Sequence, residues 1–368
     1  MQTSTRQRAT SAAAVLTGLA AVGYAMAASG PASAPGAWPD AVRPASRTSA
    51  ADSHSAADSH SAAGTRAAAK ITPPPGGAHA HHRRAGPPRR LVGGHRLGSS
   101  RIVVARQATR LPAVPASAYV IANARTGQVL AAKDAHGRYP PASTLKVLTA
   151  ITMLPRLKPD ASLVATRLAA SVVPNVAGLV PGRRYRAADL FRALLLISAN
   201  DAAVALVQAS GSFARGMALV NAEAHRLQAY DVVARKPNGL PAPGQVVSAY
   251  DLALIARKAL SMPDFMRYDS TLSATFPVTA RDRLPMVNQN ALLTQYPGGI
   301  GGKIGWTPDA EATYVGLARR HGVTLIVTIL HATPLTEITS AERLLNWGFG
   351  MNGHVRAVGR LVPPLAGR

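Results

Sequence analysis

A lysine stands in the middle of a helix-length stretch that has no polar face. Residues 142–154 follow Pro140-Pro141, a pair that ends extended chain and suits the first turn of a helix. Leu145, Val147, Leu148, Ile151, Met153 and Leu154 cover this stretch nearly all round, and a helix of that kind belongs in the centre of a domain. Ser143 and Lys146, three residues apart, project from one side about one turn from each other. A buried ammonium finds a partner or gives up its proton. The stretch therefore demands a domain with core on every side of the helix and polar groups inside that core. Apolar residues make up 47% of the chain, enough for such a core, and with aromatics at 5% it must be built from Ala, Leu, Val and Ile.

That core cannot come from the start of the chain. The first 110 of the 368 residues hold 14 of the 41 Lys+Arg and only 3 of the 17 Asp+Glu. Arg6 and Arg8 precede an apolar or small-residue run over 12–24, and Ala25-Met26-Ala27 follows as a small-x-small site. This order predicts a secretory signal over residues 1–27 and an exported, cell-envelope protein, with an uncleaved N-terminal anchor as the alternative. Residues 28–110 are rich in Ala, Ser, Pro, Gly, Arg and His, and carry the hexamer Ala-Ala-Asp-Ser-His-Ser twice in tandem, over 50–55 and 56–61. Such a composition predicts a disordered basic linker. Its cluster of His79, His81, His82, Arg83 and Arg84 reads as a solvated tether, with anionic cell-wall polymers as the natural partner. No aromatic residues interleave these charges, so nucleic acid is not expected. The absence of cysteine removes disulfides, thiol catalysis, Cys-ligated zinc, iron–sulfur clusters and c-type haem.

Residues 118–122 and 128–132 are short apolar stretches around a Gly-containing loop, a hairpin signal. Apolar helical stretches follow over 187–197, 202–209, 213–227 and 248–260. Residues 302–306, 312–318 and 323–330 are then β-rich and predict an antiparallel meander, with a last helix over 339–347. Strands at both ends and helices between predict an α+β fold over residues 111–353: a mixed domain whose antiparallel sheet is flanked by helices and carries an inserted all-helical lobe. Residues 354–368 read as a short C-terminal tail. The histidines His136, His225, His321, His331 and His354 show no triad-like or metal-ligand spacing.

A serine hydroxyl becomes a nucleophile when a nearby base takes its proton, and a desolvated lysine near a second cation is suited to be that base. Ser143 and Lys146 fit this pair. Ser198-Ala199-Asn200 lies between two apolar helices, where it either points a hydroxyl and an amide into a cleft or caps a helix. Lys303-Ile304-Gly305 opens the meander. A lysine there either meets an anion or guards a sheet edge, and the glycine lets another backbone approach.

The order Ser-x-x-Lys, Ser-x-Asn, Lys-x-Gly is shared by penicillin-binding proteins and serine β-lactamases. With the flanks Pro141-Ala142-Ser143-Thr144-Leu145-Lys146, Ile197-Ser198-Ala199-Asn200-Asp201, Pro237-Asn238-Gly239-Leu240 and Gly301-Gly302-Lys303-Ile304-Gly305-Trp306-Thr307, the chain resembles the low-molecular-mass penicillin-binding D-alanyl-D-alanine carboxypeptidases from about residue 117 to 350. The resemblance implies that Ser143 attacks a D-Ala–D-Ala bond of a peptidoglycan stem peptide and that Lys146 is its base. It implies that Ser198 and Asn200 relay a proton and hold substrate, that Lys303, Ile304 and Gly305 line the substrate strand, and that the Ser143 and Trp306 backbone N–H groups form the oxyanion hole. β-Lactams would acylate the same serine, and no metal or cofactor is implied.

Two positions depart from the family pattern. Ile304 stands where a Thr or Ser hydroxyl usually binds the substrate carboxylate, and Glu337 stands where an Arg commonly assists it. These departures keep an altered-substrate or non-catalytic relative open as an alternative. A serine β-lactamase would also need a Glu to activate water, and Glu223 is the only one between Asn200 and Lys303.

Overall fold

The structure, a computed structural model, describes residues 91–366. The signal-like segment, the tandem hexamers and the cluster from His79 to Arg84 lie outside the described residues. A 3₁₀ turn at His95–Gly98 leads into β1 (Ile102–Val104) and the hairpin of β2 (Ala116–Asn123) and β3 (Gln128–Lys133). The insertion begins with a 3₁₀ turn at Ala142–Thr144 and α1 (Leu145–Met153), then β4 (Ser162–Val164), α2 (Arg167–Ala170) and β5 (Arg184–Arg186). It continues through α3 (Ala187–Leu196), α4 (Asn200–Gln208), α5 (Phe213–Arg226), α6 (Ala249–Leu260), α7 (Pro263–Asp269), β6 (Ser273–Pro277), β7 (Arg283–Val287) and α8 (Leu292–Gln295). The chain returns as β8 (Gly299–Thr307), β9 (Glu311–Arg320) and β10 (Val323–Ala332), and ends with α9 (Glu337–Met351) and β11 (Gly359–Arg360).

The expected α+β architecture is present. The main sheet runs β1-β3-β2-β10-β9-β8, with β11 also on β3 and every pairing antiparallel. The late strand β10 closes on the early strand β2, Thr328 opposite Val120. Along β10 the side chains alternate between two cores. Ile326 and Leu330 join the helical lobe, whereas Leu325, Val327 and Ile329 pack with Leu344 and Leu345 of α9. A sheet covered on both faces reads as a continuous apolar run, which is why the meander was visible. β8 is the terminal strand, and the nucleophile turn lies beside it.

The linker and tail boundaries need correction. The ordered body does not begin at residue 111: Leu97 is buried at 1% exposure, and Val104 of β1 pairs with Ala131. Nor is 354–368 a free tail, because Val358 and Leu361 are buried and Gly359 pairs with Val129. Both segments dock through a few apolar residues scattered among Gly, Pro and Arg, too irregularly spaced to give a periodic signal. His136 fastens the N-terminal one. Its Nδ1 lies 2.8 Å from Asp231 Oδ2 and its Nε2 3.1 Å from the Val92 carbonyl, while the Asp231 N–H donates to Asp251 Oδ2 at 2.7 Å. These residues come from separate segments, so their spacing in sequence gave no sign of the cluster. The hairpins β4–β5 and β6–β7 were also not read, being short, polar or interrupted by proline.

Candidate active site

The helix that carries Ser143 starts as a tight turn, and strain marks its first residue. Ala142 has φ 45°, in the left-handed region, where a non-glycine residue is held only by its surroundings. The hold comes from three sides. Thr144 Oγ1 donates to the Pro141 carbonyl at 2.6 Å, and Thr313 Oγ1 of β9 donates to the same oxygen at 3.0 Å. Gly239, at φ 80°, lies so close over the Ala142 carbonyl that any Cβ there would collide with it. The turn thus fixes where Ser143 leaves the backbone.

Lys146 is buried at 0% exposure on α1. Its Nζ lies 2.8 Å from Ser143 Oγ, 2.7 Å from Asn200 Oδ1 and 2.8 Å from the Asn238 carbonyl. Burial pushes the Lys146 ammonium well below its usual range, and the positive charge of Lys303 pushes the same way; Asp201 opposes them. A neutral amine has two N–H donors and one lone pair. With Asn200 Oδ1 and the Asn238 carbonyl accepting the two hydrogens, the lone pair faces the Ser143 hydroxyl.

The partners of Lys146 are themselves fixed. Asn200 opens α4, where its Nδ2 donates to the Pro174 carbonyl at 2.5 Å and its N–H to the Asn175 carbonyl at 2.7 Å. Neighbouring Asp201 accepts the backbone N–H groups of Ala177, Gly178 and Leu179, which holds that loop beside Asn200. Thr149 Oγ1 donates to the Pro237 carbonyl at 2.7 Å, setting the segment that presents the Asn238 carbonyl. Ser198 is buried at φ 61°, and its Oγ has no hydrogen-bond partner. An unsatisfied buried hydroxyl in a strained residue is a mark of functional sites.

Lys303 is buried on β8 and donates to the Ile304 carbonyl at 2.9 Å. Burial moves its ammonium down to about 7, against the opposing pull of Asp269. It is not a solvent-facing edge lysine. Gly305 brings β8 against the nucleophile turn: a Cβ there would stand 2.7 Å from Ser143 N and 3.0 Å from Thr144 N. Trp306 follows, partly exposed. Ile304 points to the other face, packed against the α9-side core. Glu337, in the first turn of α9, is buried with Oε2 unpartnered, and burial pushes its carboxyl up. Glu223 is buried at 8% exposure and bound through both oxygens to Arg226.

Ser143, Lys146 and Asn200 therefore meet directly, with Lys303 acting on Lys146 through its charge. Ser198 makes no direct bond within the group. Three contributors were missed from sequence: the Asn238 carbonyl, Asp201 and Asp269. Backbone carbonyls carry no residue signature, although Pro237-Asn238-Gly239-Leu240 had marked the segment. Asp201 could have been found as an acid inside an apolar helix.

The family profile described as D-alanyl-D-alanine carboxypeptidase matches residues 105–334. The chain belongs to that family. It is 38% identical over 248 residues to the D-alanyl-D-alanine carboxypeptidase DacB2 of Mycobacterium tuberculosis, across 66% of this chain and 85% of that one. DacF of Bacillus subtilis is 26% identical over 241 residues, across 64% of this chain and 62% of that longer one. Among solved structures, a D-alanyl-D-alanine carboxypeptidase of M. tuberculosis superposes with a TM-score of 0.67 at 37% identity, covering 70% of this chain and 99% of that one. The Streptomyces K15 DD-transpeptidase gives 0.62 at 27% identity, covering 66% and 100%. The D-alanyl-D-alanine carboxypeptidase family comprises serine peptidases that act on peptidoglycan peptides and bind β-lactams.

Proposed function

We propose that Ser143 is the acylated nucleophile of this D-alanyl-D-alanine carboxypeptidase and that Lys146 is its general base. The observation that carries the assignment is the Lys146 amine itself: buried, driven toward its neutral form, and left by two carbonyl acceptors with its lone pair on Ser143 Oγ. Ser143 Oγ attacks the carbonyl of the penultimate D-Ala as Lys146 takes its proton. The Ser143 and Trp306 backbone N–H groups receive the developing oxyanion, the kind of preorganised donor pair that acyl transfer requires. Ser198, whose hydroxyl is free within the protein, and Asn200 carry the proton to the leaving amine and hold the peptide. Terminal D-Ala departs, and water hydrolyses the acyl-enzyme.

β8 is the end strand of the sheet, so an extended peptide can lie alongside it. Lys303 supplies positive charge for the substrate's terminal carboxylate. A β-lactam enters the same chemistry, with its ring nitrogen as the leaving group. The β-lactamase reading has less support, because Glu223 is already committed to Arg226.

Release of D-Ala from a stem-peptide mimic by the wild type and not by Ser143→Ala tests the reading. A mass increase of one acyl group on the peptide containing Ser143 after penicillin treatment locates the adduct. Equal release or labelling in the alanine variant would overturn it. We also infer export, from the charged, apolar and small-residue order of residues 1–27, and contact of the basic residues 28–90 with anionic cell-wall polymers. Fractionation of producing cells and co-sedimentation with teichoic-acid-bearing and stripped walls test these two points.

A further inference from the structure

Lys303 is a cation buried at 1% exposure, and an ammonium in that setting needs a compensating anion. The acid whose charge opposes its loss of a proton is Asp269, the last residue of α7. Asp269 is buried at 0% exposure, its Oδ2 accepts the Gly302 N–H at 2.7 Å, and its Oδ1 has no hydrogen-bond partner; burial pushes its carboxyl up to about 7, against the pull of the Gly302 N–H and of Lys303. The approach depends on the two glycines before Lys303. A Cβ on Gly301 would collide with Asp269 Oδ2, and Gly302 has φ 144°. Gly301-Gly302 is thus the opening through which a carboxylate reaches the back of the substrate strand.

We propose that Asp269 is a positioning residue for the carboxypeptidase reaction: it anchors β8 through the Gly302 N–H, one residue before Lys303, and from there its carboxylate favours the charged form of the Lys303 side chain, so that the strand offers a positive charge to the substrate's terminal carboxylate. This rests on the role assigned above to Lys303. The charged and titratable groups facing the pair are few. Lys146 lies on the α1 side of Lys303, and Tyr314 of β9 feels both Asp269 and Glu337. Asn288 Nδ2 holds the Asp269 backbone carbonyl at 2.9 Å and leaves its carboxylate alone. Arg192 and Arg267 are occupied over the Tyr268 ring.

Asp269→Asn separates anchoring from charge, because an amide oxygen still accepts the Gly302 N–H. Where Asp269 is ionised, above about pH 7, its negative charge raises the Lys303 value, so its removal lets Lys303 lose its proton at lower pH. In full-length protein, the alkaline limb of the second-order rate of penicillin acylation should move down by about one pH unit. Above that limb the rate should be about tenfold lower, and well below it unchanged. For D-Ala release the loss should appear mainly in KM, with a smaller part in kcat through Lys146. Asp269→Ala, which removes the anchor as well, should lose activity at every pH.

A purely structural anchor predicts that Asp269→Asn matches the wild type at every pH, or falls equally at every pH. Either result overturns the proposal. A readout independent of turnover is the ¹³Cε titration of Lys303 in lysine-labelled protein, with the resonance assigned by its loss in Lys303→Arg. A lower midpoint in Asp269→Asn supports the proposal, and an unchanged midpoint overturns it. A shifted midpoint in a protein that releases no D-Ala would count against the carboxypeptidase reading and leave the Asp269–Lys303 coupling standing.

Discussion

The amine of Lys146 stands 2.8 Å from the hydroxyl oxygen of Ser143, with its two other hydrogen-bonding directions taken by oxygens of Asn200 and Asn238. That relationship converts an unremarkable sequence spacing into an acid–base pair. Burial alone would lower the lysine's proton affinity. The two acceptors add direction, since they leave only one place for a lone pair. Lys146→Met should therefore lower the rate of acylation by a fluorescent penicillin by about 10²- to 10⁴-fold, the usual contribution of a general base. The fold should survive. The variant leaves two buried oxygens short of a donor, at about 1–3 kcal/mol each, but it also relieves a buried amine. Stopped-flow labelling together with a melting curve checks both halves.

Lys303 should act on the chemical step through Lys146 as well as on binding. Its positive charge lowers the Lys146 value, and the base is competent only when neutral, so acylation rises as pH rises through that value. Removing the charge in Lys303→Met lets Lys146 keep its proton to higher pH. The acid limb of the penicillin acylation profile should move to higher pH, a direction opposite to the alkaline-limb shift expected of Asp269→Asn. An acid limb that stays in place would show that the two lysines are uncoupled.

What could be read from the sequence follows the length scale of each feature. The buried helix behind Ser143, the meander and its closure on the first hairpin were legible because their apolar patterns run over many residues. The nucleophile and base were legible because they lie one turn apart on one element. Asp269 reaches Lys303 across 34 positions, by way of two glycines whose purpose is visible only once α7 and β8 are packed. His136 and Val92 are likewise joined only in three dimensions. The docked terminal segments failed for the opposite reason, their few apolar residues being diluted by a composition that reads as linker.

The N-terminal boundary has a direct test. A chain starting at Leu111 loses the buried Leu97, the β1 pairing and the Val92 carbonyl that His136 holds. Burial of one leucine side chain is worth about 1.5–3 kcal/mol, so the urea midpoint should fall markedly relative to a chain starting at Leu91. The Leu91 chain should match the full-length protein in midpoint and in penicillin acylation. Equal midpoints for the two truncations would mean that residues 91–110 contribute nothing to the folded body.

Gly305 should be as sensitive as a catalytic group although it has no side chain. Its Cα faces the Ser143 and Thr144 backbone nitrogens, and a methyl there would stand 2.7 Å from the first and 2.5 Å from Thr313 Oγ1. The strand must then withdraw from the nucleophile turn. A displacement on the order of 1 Å at a reacting centre costs about a hundredfold. Gly305→Ala should lower both acylation and D-Ala release by at least about that factor, and the overpacking should cost about 1–3 kcal/mol of stability. A variant that keeps wild-type acylation would show that the strand and the turn move independently.

Ile304 offers the sharpest reading of substrate preference. It sits on the substrate strand between Lys303 and Gly305, opposite Tyr314 in the register, and its side chain packs on the α9-side core rather than beside Lys303. Glu337 lies on that same α9 side, close enough for its charge to be felt at Tyr314. The two departures from the family pattern therefore share one face of the sheet. Ile304 is only half-buried on the end strand, so the hydroxyl branch of a threonine there can turn past the strand edge while its methyl keeps the α9-side contact; a bond from it to the substrate carboxylate is worth about 1.5–3 kcal/mol, or roughly ten- to a hundredfold in kcat/KM. Threonine is β-branched and near isoleucine in size, so the strand should accept it at a cost of about 1 kcal/mol of lost burial. Ile304→Thr should raise D-Ala release from a peptide ending in D-Ala–D-Ala by that ten- to a hundredfold. Glu337→Arg should add to the gain, less than additively if both groups meet one carboxylate. A folded, penicillin-reactive Thr variant with no gain would mean that this enzyme reads the carboxylate through Lys303 without help from position 304, and that its preferred substrate is set elsewhere in the cleft.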